Sequence, residues 1–495
     1  MRRPFRSLRR PPDATYDAVV IGSGIGGLIA ANLLAREGLK VLLAEQHYMV
    51  GGYCSTFRRR GYTFDAATHF YPLLGNPETL PGRLLAELGI TCGWIKMDPV
   101  DTFHFPDGTR FEVPADFDDY LAKVKAEFPE EAAALDDFFA VVREAYLLGL
   151  FHYFHGRPMP EKLAPYRDLT LKEALDRWFR NPKLKLLLTA DCPHWGSPPG
   201  RTSFVFDSML RLSYFLGNYY PRNGSQAFAD ELAQRFEERG GHVLINTAAR
   251  RIVVEKDVAR GVELEILRGP LAGLRASVQA GVVISNADLL QTFETLIGRE
   301  HLPPGMIEEL RRLRPTFPCW LTHLGLTGVS RETLEEVQGY YWDSWDMERM
   351  GRGALRFKLF SPTVYEPAVA PAGRQILIMQ KVLEMDYDAV HDWPAHKTEI
   401  EGFIFAHLER LLPGIGERIT VKMSASAHTS WRFTWNHHGA MLGWEMSPDQ
   451  LGERRPPLET PIRGLYCVGH WTRPGGGITP VIVSAQAVAE RVVRR

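Results

Sequence analysis

The stretch from Tyr16 to Glu45, YDAVVIGSGIGGLIAANLLAREGLKVLLAE, constrains this 495-residue chain more than any other part of it. A short apolar run, Tyr16 to Ile21, leads into Gly22, Gly24 and Gly27 in a GxGxxG spacing, and Leu28 to Arg36 continues with helical character. A second apolar run, KVLLA, ends in Glu45. Gly22 allows a tight turn, Gly24 lets the backbone approach a pyrophosphate, and Gly27 lets the helix lie close on the strand. The unpaired N–H groups and the dipole at the helix start favour phosphates, and an acid at position 45 accepts hydrogen bonds from ribose hydroxyls. The complete βαβ-plus-acid pattern predicts a dinucleotide site on an α/β, Rossmann-like domain. A glycine turn in an unrelated α/β unit accounts for less of it.

The same region holds an uncharged span, Ala18 to Ala35, long enough to pass for a membrane helix. Its glycines make it a buried strand, loop and helix instead, so the chain is expected to be soluble or to sit on one membrane face. The 58 basic and 59 acidic side chains nearly cancel, which gives no electrostatic reason to expect nucleic acid as a partner. Five cysteines, far apart and without a CxxC pair, argue against a disulfide framework and a zinc site. A reducing, cytoplasmic setting follows as the expectation. The opening MRRPFRSLRR has no apolar segment after it and reads as a solvated basic tail over residues 1–13. No HExxH or Ser/His/Asp pattern stands out, and no metal is expected.

Beyond Glu45 the chain continues EQHYMVGGYCSTFRRRGYTFDAATHFYPLLG. The second glycine pair, Gly51-Gly52, resembles the flavoprotein family that includes amine oxidases, phytoene desaturases and Rab GDP-dissociation inhibitors. There it brings the chain back beside the flavin. Glu45, Gln46, His47, Gly51, Gly52, Cys54, Thr56, Phe57, Gly61, Phe64, Asp65 and His69 match the retinol saturase form of this block. YYPRNGSQAFADELAQRFEERGGHVLINTAARRI resembles the middle segment of carotenoid desaturases and isomerases. GLYCVGHWTRPGGGITPVIVSAQAVAERV resembles their C-terminal flavin-binding signature. The chain is thus similar to the phytoene desaturase, carotene isomerase and retinol saturase group. One departure is Gly469-His470, where isomerases and many relatives have Gly-Asp.

The resemblance implies one bound FAD, since only one GxGxxG is present. It also implies cofactor contacts from Gly22, Gly24, Gly26, Gly27, Glu45, Gln46, Gly51, Gly52, Gly469, His470, Gly475, Gly476, Gly477 and Ile478. It implies a discontinuous fold: an FAD domain of residues 14–75, 220–300 and 455–495, and an α+β substrate domain of 76–219 and 301–454. Locally, Ser225 is expected to cap a helix carrying Phe228, Leu232 and Phe236, which Gly240-Gly241 ends. HVLIN, RIVVE, GVELEI and GVVISNAD read as strands.

Three aromatic-rich stretches fall in the substrate segments: Tyr146 to Phe154, Phe204 to Tyr220 and Ser430 to Trp444. Any one reads as core packing. Together with the resemblance they suit an apolar tunnel for a polyene isoprenoid, a carotenoid or retinoid. Tyr146 to Phe154 is also a candidate for peripheral membrane contact. The implied reaction is redox at a carbon–carbon double bond, desaturation or saturation, with a quinone, oxygen or a reductase as electron partner. Isomerisation with reduced FAD, amine oxidation, and a non-catalytic prenyl carrier of the GDP-dissociation-inhibitor type stand as alternatives. His69 is the candidate proton donor or acceptor, against a bland role holding its loop by hydrogen bonds.

Overall fold

In the computed structural model, which describes residues 11–494, the opening βαβ unit lies in the middle of a seven-stranded sheet. Strand β1 (Thr15–Ile21) leads to helix α1 (Ile25–Arg36), and β2 (Val41–Ala44) returns parallel to β1. All four β2 residues are buried, as a parallel strand covered on both faces requires. Helix α1 is buried everywhere except Arg36. A helix without a polar face has to be enclosed by protein, and helices Ser225–Glu238 and Ile478–Val493 enclose it. Its one internal polar side chain is satisfied: Asn32 Nδ2 donates to the Leu28 and Leu232 carbonyls, both at 2.9 Å. The uncharged Ala18–Ala35 span is therefore interior. Among the described residues, no helix is long and apolar enough to cross a membrane.

Gly22 and Gly27 explain how closely helix and strand approach. A Cβ on Gly27 would stand 2.0 Å from the Gly22 carbonyl oxygen, and Gly22 itself has a φ of +90°. Neither position accepts a side chain without moving the backbone.

The other strands of this sheet come from distant segments. His242–Leu244 pairs with β2 in parallel, and Arg275–Ser285 pairs with β1 in parallel on its other side. Leu465–Cys467 adds to Arg275–Ser285, again in parallel, while Thr247–Glu255 and Val258–Ile266 close the edge antiparallel. Helix Ser225–Glu238 differs from expectation at its start. Gly224, with a φ of +85°, is the N-cap, and Ser225 makes no capping bond. The Asp65 carboxylate takes the Ser225 N–H at 2.9 Å, and the Ser225 hydroxyl donates to the Thr68 carbonyl at 2.8 Å. Most of the basic tail, residues 1–10, lies outside the described residues.

A second seven-stranded sheet runs in the order Ile419–Ala425, Cys319–Thr327, Arg374–Val382, Leu355–Phe360, Gly339–Trp342, Asp101–His104, Arg110–Val113. All its pairings are antiparallel except that of Gly339–Trp342 with Asp101–His104. Helices Ala132–Gly149 and Phe204–Phe215 pack on one another, with residues of Gly339–Trp342 and Leu355–Phe360 in the same core. The hairpin Thr56–Arg59 with Tyr62–Asp65 ties the two sheets together. Its Asp65 holds the Ser225 helix by the carboxylate and accepts His323 Nε2–H of the second sheet at its backbone carbonyl, 2.8 Å away.

Candidate cofactor and substrate site

A cavity of ≈ 580 Å³ is bordered by both sheets. At one end lie Gly22, Gly24, Gly26, Glu45, Gln46, Gly51 and Gly52; nearby are Gly469, His470, Gly476, Gly477 and Ile478. Gly27 and Gly475 do not line it. Gly27 is consumed by packing on Gly22, and a Cβ on Gly475 would meet Met446 Sδ at 2.6 Å. Two helices begin at this end, α1 after Gly24 and Ile478–Val493 after Gly477. Neither glycine provides a side-chain cap. Two uncapped N-termini opening on one cavity give it a concentration of backbone donors and positive dipole ends.

Glu45 braces this loop from the side. Its Oε2 accepts from the Ser23 N–H at 2.8 Å and the Ser23 hydroxyl at 2.7 Å, and its Oε1 accepts from the His47 N–H at 2.7 Å. A carboxylate has about four acceptor sites, so one remains after these three bonds. Asn286, which follows the strand Arg275–Ser285, fills the gap between the glycine segments. Cβ atoms on Gly24, Gly26 and Gly469 would each come within 2.9 Å of its amide.

These residues fit an FAD. The cradle is one that Cβ atoms would fill: a methyl on Gly52 would approach Gly24 Cα to 3.2 Å. Thr479, at the start of the last helix, lines the cavity with a buried hydroxyl that has no protein partner. The departure at His470 is tolerated structurally. His470 Nε2–H donates to Asn436 Oδ1 at 3.1 Å, and the same oxygen accepts Trp471 Nε1–H at 3.0 Å. Burial, with the Arg455 charge nearby, pushes its pKa down to about 3, so the ring is neutral. Arg455 is itself fully buried, and its guanidinium donates to the carbonyls of Thr472, Glu445, Trp444 and His470. Burial lowers it to about 9. It fixes the segment that leads into the C-terminal glycines.

His69 lies deeper along the cavity. Neither ring nitrogen is hydrogen-bonded, although both are buried. It stacks on Phe360 with 4.6 Å between centroids and an interplanar angle of 13°. Desolvation is the main cause that lowers its pKa to about 3; Gln380 approaches it, and Lys358 adds repulsion. Cys54 is buried beside it in the wall, and desolvation raises its thiol to about 11. That is the state of a packing residue.

Beyond His69 stands a polar cluster assembled from four separate segments. Lys358 Nζ donates to Asp101 Oδ2 at 2.7 Å and to His194 Nε2 at 3.1 Å, and lies 3.8 Å from the centroid of the Phe70 ring. Burial lowers Lys358 to about 8 and raises Asp101. The Tyr340 ring is 4.3 Å from the same ammonium.

The remaining wall is apolar. Tyr146, Leu150 and Phe154 recur every four residues and face the cavity, while Leu147 and Phe151, each 56% exposed, face outward. Phe206, Met209, Leu210, Met441 and Leu442 continue it. Each aromatic stretch thus divides its residues: Phe204 packs among core rings, and Trp444 packs edge-on against Trp471, 4.6 Å away. The helix Ala132–Gly149 also changes character here, running into a π-helical turn at Leu150–Phe154.

Asn286, Asn436, Arg455 and the Lys358 cluster were missed by sequence reasoning. Lys358 alone left a trace, a lysine that follows Phe357 in the strand LRFKLF, where the alternation set by Arg356 puts it on the same face as the arginine.

The family described as flavin containing amine oxidoreductase matches residues 25–493. Prolycopene isomerase of Arabidopsis thaliana is 26% identical over 508 residues, covering 97% of this chain and 83% of that protein. A neurosporene-forming phytoene desaturase of Rhodobacter capsulatus is 26% identical over 509 residues, covering 96% and 93%. All-trans-retinol 13,14-reductase of Danio rerio is 27% identical over 367 residues, covering 69% of this chain and 58% of that protein. Among solved structures, putrescine oxidase has a TM-score of 0.66 at 16% identity, covering 98% of this chain and all of that one. An oxidoreductase from Methanosarcina mazei has a TM-score of 0.65 at 18% identity, covering 96% and 99%.

Proposed function

The chain belongs to the flavin-containing amine oxidoreductase family and is an FAD-dependent oxidoreductase, and from that premise we propose that it carries out a redox change at a carbon–carbon double bond of an apolar polyene isoprenoid. The observation that carries this reading is the continuity of one cavity from the glycine cradle, past His69, to a wall of Tyr146, Leu150, Phe154, Phe206 and Met209. The relatives whose names include prolycopene, phytoene and retinol support the same substrate class.

FAD, when bound, supplies hydride transfer to or from carbon. The residues of this chain supply the rest. Gly22, Gly24, Gly26, Gly51, Gly52 and Gly477 would admit the cofactor close to the backbone, and the uncapped helix starts would favour its anionic groups. The apolar wall excludes water and aligns a long unsaturated chain by shape. His69, whose buried ring is neutral and lines the cavity, is our candidate for handling the proton that accompanies the hydride.

Leu147 and Phe151 would dock the cavity wall on a lipid surface, from which such a substrate must come. Co-sedimentation with anionic vesicles that falls on Leu147→Asp/Phe151→Asp substitution is expected; equal sedimentation of both proteins contradicts the docking. The reaction itself is tested by incubating FAD-loaded protein with carotenoids and retinol and following the polyene band. Desaturation moves it to longer wavelength and saturation to shorter. Isomerisation changes its shape with no electron transfer. Turnover of a simple amine with no change in any polyene overturns the reading.

A further inference from the structure

The cavity opens to the surface at the end where Gly51 and Gly52 stand, and the rim of that opening is basic and aromatic. The exposed side chains that border the cavity are Tyr48, Arg59, Met423 and Phe433. They come from the loop after Glu45, the hairpin Thr56–Arg59 with Tyr62–Asp65, the strand Ile419–Ala425 and the helix Ala427–Thr434. Three more arginines stand around them. Arg60, at the hairpin tip, donates to the Thr420 carbonyl at 3.0 Å. Arg432 holds its guanidinium 6.0 Å from the centroid of the Phe433 ring. Arg268 lies by His47, whose pKa burial lowers, with Arg268 adding to the effect and Glu45 opposing it. All four arginines are exposed, and none forms an ion pair with a described residue. Four unneutralised cations around one opening attract a negatively charged partner.

The aromatic part of the rim is fixed by its neighbours. Phe433 meets His47 edge-on at 5.5 Å, and the exposed Trp431 stacks on His428, which stacks in turn on Trp393, each at 5.3 Å. Rings already held in place lose little side-chain freedom on docking. Arginine mixed with Trp, Phe, Tyr and Met is the composition of protein interfaces. The apolar side chains offered to lipid, Leu147 and Phe151, lie elsewhere, on the helix Ala132–Gly149 and its π-helical turn.

Resting on the polyene reading above, we propose that this rim docks an acidic one-electron carrier protein, which exchanges electrons with the enzyme at the glycine end of the cavity while the polyene occupies the apolar end. Forming one double bond removes two electrons and two protons from the polyene. Two oxidised carriers take one electron each, and the protons pass to solvent. Saturation is the reverse, with two reduced carriers and two protons consumed.

The test is binding of FAD-loaded protein to two acidic carriers, a plant-type two-iron ferredoxin and a flavodoxin, read by anisotropy of a dye on the carrier at about 20 and about 300 mM NaCl. The expected result is that at least one carrier binds in the micromolar range at low salt and about tenfold or more weakly at high salt. Arg60→Glu/Arg432→Glu should weaken that binding about tenfold or more at low salt, with Arg60→Gln/Arg432→Gln between it and the parent. Neither residue lines the cavity, so the thermal midpoint and polyene turnover with a small dye as electron partner should stay at the parent's values. Binding of neither carrier, or binding that both variants leave unchanged, overturns the docking surface and leaves the polyene reading standing. Loss of binding to phosphatidylserine-containing vesicles in the variants, with carrier binding unchanged, assigns the rim to lipid and also overturns the proposal. A carrier that binds as expected while no polyene changes with any electron partner overturns the polyene reading and leaves the docking surface.

Discussion

Replacing Asp101 by Asn tests the polar cluster through stability rather than through ligands. Lys358 is 2% exposed and Asp101 9%, and the pair is joined at 2.7 Å. Asparagine retains the acceptor for the Thr102 N–H, which Asp101 Oδ1 takes at 2.9 Å, so the local turn survives. What is lost is the countercharge of a buried ammonium, which costs about 3–5 kcal/mol when one partner of such a pair is removed. Unfolding entropy of about 2.1 cal/mol/K per residue, over 495 residues, amounts to roughly 1 kcal/mol/K. The thermal midpoint of Asp101→Asn should therefore fall by about 3–5 °C. Lys358→Met should fall similarly, because it strands the carboxylate. The double variant Asp101→Asn/Lys358→Met leaves no unpaired charge and should return to within about 2 °C of the parent. Differential scanning fluorimetry of the FAD-loaded proteins at pH 7 reads all four corners. Additive losses in the double variant, or a single variant at the parent's midpoint, would refute the reasoning.

Three further outcomes are expected. Gly27→Ala places a methyl 2.0 Å from the Gly22 carbonyl oxygen, forcing α1 off β1; flavin content per protein should fall below about a tenth of the parent's, and full occupancy would contradict the role of this contact. His69 has a pKa lowered to about 3 in the folded protein, so between that value and 6.5 the unfolded chain binds the extra proton. Its contribution is intact above pH 6.5 and is lost as the pH falls, by about 2 kcal/mol at pH 5. His69→Gln should therefore lose roughly 2 °C less than the parent between pH 7.5 and pH 5, and identical losses would show that the ring is already protonated or solvated. Arg455→Met strips four buried carbonyls of their donor; a loss of at least about 3 kcal/mol is expected, seen as a lowered midpoint with weakened flavin retention, and an unchanged midpoint would contradict it.

What was legible in the sequence was local. The βαβ unit announces itself because strand, turn, helix and acid follow one another within thirty residues, and each glycine answers a steric demand made by its neighbours. The aromatic stretches were legible as wall material but not in orientation. Whether Leu150 or Phe151 meets the cavity depends on how the helix and its π-helical turn are rotated against the rest. The start of the Ser225 helix was misread because a serine before a helix usually caps it. Here the helix begins one residue earlier, with Gly224 as the N-cap, and Ser225 gives its own N–H to Asp65, 160 positions away. The Lys358 cluster draws on residues 101, 194, 340 and 358, and no spacing rule joins them. Asn286 and Arg455 were invisible for the same reason: each is defined by the backbone it touches after folding.

The most direct test of the central proposal is electron exchange with a polyene in the absence of oxygen. Purified protein carrying FAD would be prepared oxidised in one cell and chemically reduced in another, and each mixed with retinol or a carotene while the flavin and polyene bands are recorded together. The expected result is stoichiometric exchange in one direction: bleaching of the oxidised flavin as conjugation lengthens, or return of the flavin band as conjugation shortens. Flavin bands that stay fixed in both cells, with the polyenes unchanged, would contradict a redox reaction at a carbon–carbon double bond.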